Sequence, residues 1–99
     1  MEIKLKTLKF DADQKLVDYV DKKVSRLERF FPAGSETAAE VTLSLGKNPD
    51  NKEAQIQIHI PGQDLVIERQ ASTFEQAVTD GVDAMKEKLT RAKEKLYEK

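Results

Sequence analysis

The sequence predicts an α+β domain with the element order β-α-β-β-β-α, a four-stranded sheet carrying two helices on one face. Three observations point there: four short segments alternate apolar and polar residues with period two, two longer segments carry apolar stripes at helical spacing, and turn-forming residues gather at the joints. Stacking both stripes on one side of the sheet buries them together and leaves the other side wet. The chain has 99 residues, which fits one domain, 1–99.

The first segment places Ile3, Leu5 and Thr7 on one side and Glu2, Lys4 and Lys6 on the other, as a half-buried strand requires. Asp11 can cap a helix there, with Gln14 closing the box three residues later. Leu16, Val20, Val24, Leu27 and Phe31 then recur at spacings of four and three, widened by Val17 and Phe30. Pro32-Ala33-Gly34-Ser35 ends this helix, because proline cannot continue it and glycine permits the turn. Val41, Leu43 and Leu45 alternate with Thr42 and Ser44, and the polar cluster 46–51 supplies a hairpin turn. Ile56, Ile58 and Ile60 alternate with glutamines and His59. Pro61-Gly62 fits the centre of a type II turn into Leu65-Val66-Ile67, which completes an antiparallel meander. Ser72-Thr73-Phe74-Glu75 reads as a second capping box. It opens the longest stripe: Phe74, Val78, Val82, Met85, Leu89, Ala92 and Leu96. Gly81, beside that stripe, predicts close packing against the sheet or the other helix.

Chemistry is sparse. There is no cysteine, hence no disulfide, no thiolate nucleophile and no cysteine-ligated metal. The single histidine, His59, lies on the polar side of a strand without a second histidine to share a metal or a proton, so it reads as a sheet-surface side chain. The four glycines are scattered singly and make no phosphate loop. Catalysis is not expected, and neither is a cofactor or a metal. The N-terminus alternates rather than forming an apolar run, and no stretch approaches the ~20 apolar residues of a membrane span, so the expected location is the cytoplasm.

Charged residues make up 35% of the chain yet cancel to a formal net charge of −1, so the arrangement of charge matters more than its sum. On the first helix Lys15, Lys22, Arg26 and Arg29 cluster opposite the core stripe, with Lys23 at a flank and Asp18, Asp21 and Glu28 to one side. Lys22, Arg26 and Arg29 at i, i+4 and i+7 repel one another, and a phosphate backbone would supply the missing counter-charge. On the second helix Lys88, Arg91 and Lys95 follow one flank and Lys86 with Lys93 the other. Between them runs an acidic strip of Asp80, Asp83, Glu87, Glu94 and Glu98. Phe10, Phe30, Phe31 and Phe74 fall at element ends or in stripes and read as core. The wet sheet face lacks the paired aromatics that stack single-stranded bases, which leaves any RNA to the helices.

With the run Tyr19-Val20-Asp21-Lys22-Lys23-Val24-Ser25-Arg26-Leu27-Glu28-Arg29-Phe30-Phe31, Pro61-Gly62 before the last strand, and Ala77-Val78 and Val82-Asp83 leading to a Lys/Arg-containing helix end, the chain resembles the ribosome hibernation promoting factors. This family is also called ribosome-associated inhibitor or sigma-54 modulation proteins. The resemblance implies a fold similar to the double-stranded-RNA-binding domain. It also implies binding to the small ribosomal subunit and its RNA, in the channel of messenger and transfer RNA, with translation inhibited under stress or in stationary phase. Lys22, Lys23, Arg26 and Arg29 match the family's basic first helix, and Lys86, Lys88, Arg91, Lys93 and Lys95 its basic second-helix tail. The second helix departs from the pattern. Glu75 stands where tyrosine is usual, Thr90 where arginine is common, and Ala84-Met85-Lys86-Glu87-Lys88 replaces a Lys-Leu-Glu-Arg-Gln-like run. Ending at Lys99, the chain is similar to the short form, without the dimerisation domain of the long forms. The expected partner is the ribosome, with no membrane and no small-molecule substrate. The alternative reading is a protein-interaction module that uses the mixed-charge helices without RNA.

Overall fold

The computed structural model describes residues 2–31, 37–46, 51–60 and 62–97, with side chains described except at 93 and 95–97. The order is β1 (Glu2–Leu8), α1 (Gln14–Ser25), a 3-10 turn (Arg26–Phe30), β2 (Ala38–Leu45), β3 (Lys52–Ile60), β4 (Gln63–Ala71) and α2 (Phe74–Tyr97). The four strands form one mixed sheet in sequence order. β1 and β2 are parallel, joined through α1, while β2, β3 and β4 form the expected antiparallel meander.

Register turns the alternation of each strand into rows across the sheet. Ile3, Ala39, Ile58 and Leu65 form one inward row, and Leu5, Val41, Ile56 and Ile67 the next. The members from β2, β3 and β4 are all buried, with Ile3 and Leu5 packed against them at the β1 edge. Leu16, Val20, Val24, Leu27 and Phe31 close the core from the first helix, and Ala77, Val78, Val82, Met85, Leu89 and Ala92 close it from α2. Each Val, Leu, Ile, Phe or Met among them contributes about 1.5–3 kcal/mol when fully removed from water, and each alanine less. α2 lies over β3 and β4, and α1 packs between α2 and β1. A Cβ at Gly81 would stand 3.0 Å from Ile56 Cδ1, so the glycine lets α2 descend onto the middle of the sheet, as its position beside the stripe predicts.

Three local expectations change. Asp13, not Asp11, caps α1: its carboxylate accepts the Leu16 N–H at 2.8 Å, and Gln14 turns instead to Asp18. Thr73, not Ser72, caps α2, its hydroxyl accepting the Gln76 N–H at 3.1 Å and its carbonyl the Ala77 N–H. The first helix does not run unbroken to Phe31, because after Ser25 it tightens into the 3-10 turn. Gly62 has φ +87°, as the second central position of a type II turn requires, and Gly46 N–H donates to the Asn51 carbonyl at 2.9 Å across the β2–β3 connection. The stop at Pro32-Ala33-Gly34-Ser35, residues 47–50 of the hairpin cluster and Pro61 lie outside the described residues, as does the side chain of Leu96.

Candidate nucleic-acid interface

The tightening after Ser25 matters for the charges. An α-helix would fan Arg26 and Arg29 apart by about 60° around the axis, whereas a 3-10 turn has three residues per turn and stacks i over i+3. Both arginines therefore lie along one line, on the border of the seam with α2. There they join Lys23 from α1 and Lys86 from α2 around a groove floored by Leu27, Phe30 and Val82. Asp83 and Thr79 complete the α2 wall. Four cations and one acid thus share a single cleft.

What holds the lysines is aromatic. Lys23 Nζ lies 5.5 Å from the centre of the Tyr19 ring, and Lys86 Nζ lies 5.3 Å from that of Phe30. A cation resting on a ring face is attracted by the quadrupole without being neutralised, so its charge and N–H donors stay available. Tyr19 also ties the two walls together, its hydroxyl 2.8 Å from that of Thr79 in a half-buried hydrogen bond. Phe30, expected in the core, is half-buried with Lys86 over its ring.

The predicted residues do not all meet. Lys22 is exposed and outside the groove lining. Lys88 turns the other way: its ammonium donates to the Val66 carbonyl at 3.0 Å, covering part of the β4 edge. Arg91 is engaged along its own helix with Glu87 at 2.8 Å, both side chains mostly exposed. Lys93 and Lys95 extend α2 beyond these, and their side chains lie outside the described residues. Tyr19, Thr79, Asp83 and Phe30 were not expected at the site. Tyr19 precedes Lys23 by four and Asp83 precedes Lys86 by three, spacings that place each pair side by side on a helix. Thr79 carries no such signal.

His59 sits on the open face of the sheet, its Nδ1 2.6 Å from Asp64 Oδ1 across the β3–β4 pair, with the ring 43% exposed. Among the described residues no group of three or more potential metal ligands comes together, and no helix is long and apolar enough to cross a membrane.

Comparison with known proteins places this arrangement in a family. The model of sigma 54 modulation protein / S30EA ribosomal protein matches residues 3–97. A ribosome hibernation promoting factor of Azotobacter vinelandii is 28% identical over the whole chain and 89% of its own length. The N-terminal domain of Protein Y from Thermus thermophilus superposes with a TM-score of 0.82 at 30% identity, covering 93% of this chain and 99% of that one. A ribosomal subunit interface protein from Coxiella burnetii shares the fold with a TM-score of 0.79 at 18% identity, covering 94% and 98% of the two chains. With the matched span running from the first strand to the end of the last helix, the chain belongs to the sigma 54 modulation protein / S30EA ribosomal protein family, that of the ribosome hibernation promoting factors.

Proposed function

We propose that this protein associates with the ribosome, binding RNA of the small subunit in the channel of messenger and transfer RNA and so silencing translation under stress or in stationary phase. It acts by occupancy rather than by catalysis, in the cytoplasm. The observation that carries this reading is the convergence of Lys23, Arg26, Arg29 and Lys86 on one inter-helix groove. Lys22 flanks that groove on the first helix, and Arg91, Lys93 and Lys95 lie further along the second, whereas Lys88 is held at the β4 edge, away from it.

A chain of net charge −1 has no global attraction for RNA, so the local field must do the work. The groove draws phosphates toward the helices, while the open face of the sheet, with Glu2, Glu40, Glu53, Asp64 and Glu68 against Lys4 and Lys6, turns them away. Sedimentation with purified small subunits over a salt series tests the reading, together with translation in a cell-free extract. The expected result is binding at low salt, a logarithmic salt slope of about −3 from the four groove cations, and inhibition of translation. Absence of co-sedimentation at the lowest salt would end it.

A further inference from the structure

One groove residue has the wrong sign for a phosphate. Asp83 is exposed and lines the cleft beside Lys86, and among the described residues it has no hydrogen-bond or ion-pair partner. Its neighbours on the outer ridge of α2 are engaged: Asp80 accepts from Gln76 Nε2 at 2.8 Å, and Glu87 accepts from Arg91 Nη2 at 2.8 Å. Lys86, three residues on, is spaced to pair with Asp83. Its ammonium rests over the Phe30 ring instead.

Asp83 therefore presents an open acceptor inside a cationic groove. A phosphate oxygen is repelled by it, and so is the ether oxygen of the sugar, since both only accept. Along a nucleic-acid backbone the one group that donates is the ribose 2′-hydroxyl, which DNA lacks. We infer that Asp83 is the specificity residue of this groove, accepting a hydrogen bond from a ribose 2′-hydroxyl while Lys23, Arg26 and Lys86 hold the adjoining phosphates. The inference rests on the RNA-binding reading above and adds to it a reason why the groove takes RNA rather than any polyanion.

Three features of the site fit this division of labour. The acid and the arginines come from opposite walls, so a sugar and its phosphate can be gripped from two sides. The hydrogen bond between Tyr19 and Thr79 fixes the spacing of those walls. Asp83 also stands where the groove meets the shallow depression along α2, whose further lining includes Glu87 and Glu94, so the cationic part of the surface ends beside it.

The test compares a stem-loop RNA with its fully 2′-O-methylated counterpart, which keeps the phosphates and the A-form shape but loses the donor. Both are titrated against the full chain and against Asp83→Ala. The substitution puts a better helix former at an exposed helix position, so the variant folds. The native chain is expected to prefer the unmodified RNA by about tenfold, the lower end for a hydrogen bond to a charged acceptor. In Asp83→Ala that ratio falls to near one while the salt slope stays unchanged. Arg26→Ala does the reverse, lowering the slope and keeping the ratio. An equal ratio in the native chain and Asp83→Ala, with RNA still bound, would overturn the role of Asp83 alone. Failure of the native chain to bind either RNA at low salt would take the RNA-binding reading down with it.

Discussion

The inter-helix groove and the open face of the sheet draw on similar residue types and use them in opposite ways. On the sheet, register sets charge against countercharge or amide: Lys4 lies opposite Glu40, Glu53 accepts from both Ser44 and Gln70, and His59 meets Asp64. In the groove two of the four cations rest on aromatic rings, which steady them without cancelling their charge. One surface sets several of its charges against partners on the next strand, and the other leaves its four cations without an ion-pair partner among the described residues. A net charge of −1 conceals this division, because most of the balancing acids are on the open face of the sheet, along the outer ridge of α2 and on the other side of the first helix.

Charge reversal is the sharpest way to break the comparison. Arg26→Glu with Arg29→Glu is expected to weaken binding to small subunits by about tenfold for each site, taking roughly 1–2 kcal/mol per exposed cation–phosphate contact. Lys4→Glu with Lys6→Glu should change it by less than about threefold. Equal losses in a sedimentation assay would mean that both faces read RNA. A second contrast concerns stability. Tyr19→Phe removes the half-buried tie between the helices and should cost about 1 kcal/mol in urea denaturation, whereas Ser44→Ala on the sheet should cost at most about half that. The reverse order would show that the tie between the walls is slack.

Smaller effects sharpen the role of the rings. Phe30→Leu keeps an apolar floor but removes the face beneath Lys86, so RNA affinity should fall about threefold. The same change made on a Lys86→Ala background should then have almost no effect on affinity, the mark of a coupled pair in a double-mutant cycle. At the bottom of the scale, His59→Ala on the exposed sheet face should leave stability within about 0.5 kcal/mol and RNA binding unaltered.

Much of the fold was legible because burial writes periodicity into the sequence. The stripe from Leu16 to Phe31 and that from Val78 to Ala92 are buried as their spacing requires. What failed was decided by contacts distant in sequence. Asp11 and Asp13 both qualify as helix caps on local grounds. The choice depends on how the chain leaves β1, where Lys9 takes φ +70° and Phe10 stacks on Phe74 with ring centres 4.4 Å apart. Ser72 and Thr73 pose the same ambiguity one residue apart. The 3-10 turn escapes a period-based reading because spacings of three and four both suit Val24, Leu27 and Phe31.

The site was half legible for the same reason. A helical projection shows that Lys86 and Lys88 lie on opposite flanks of α2, but only the packing of α2 against α1 and β4 decides which flank meets the first helix. Lys86 enters the groove and Lys88 goes to the β4 edge. The first-helix stripe likewise shifts, with Lys23 replacing Lys22 beside the two arginines once the turn rotates them toward α2.

Photo-crosslinking on purified small subunits tests most directly that the groove, and not the sheet, meets RNA. A benzophenone side chain is placed at Arg29 in one variant and at Gln57, on the open face, in another. The Arg29 probe is expected to crosslink to ribosomal RNA at low salt and to lose the crosslink as salt rises, while the Gln57 probe yields none. RNA crosslinks from Gln57 with none from Arg29 would contradict the assignment of the groove as the reading surface.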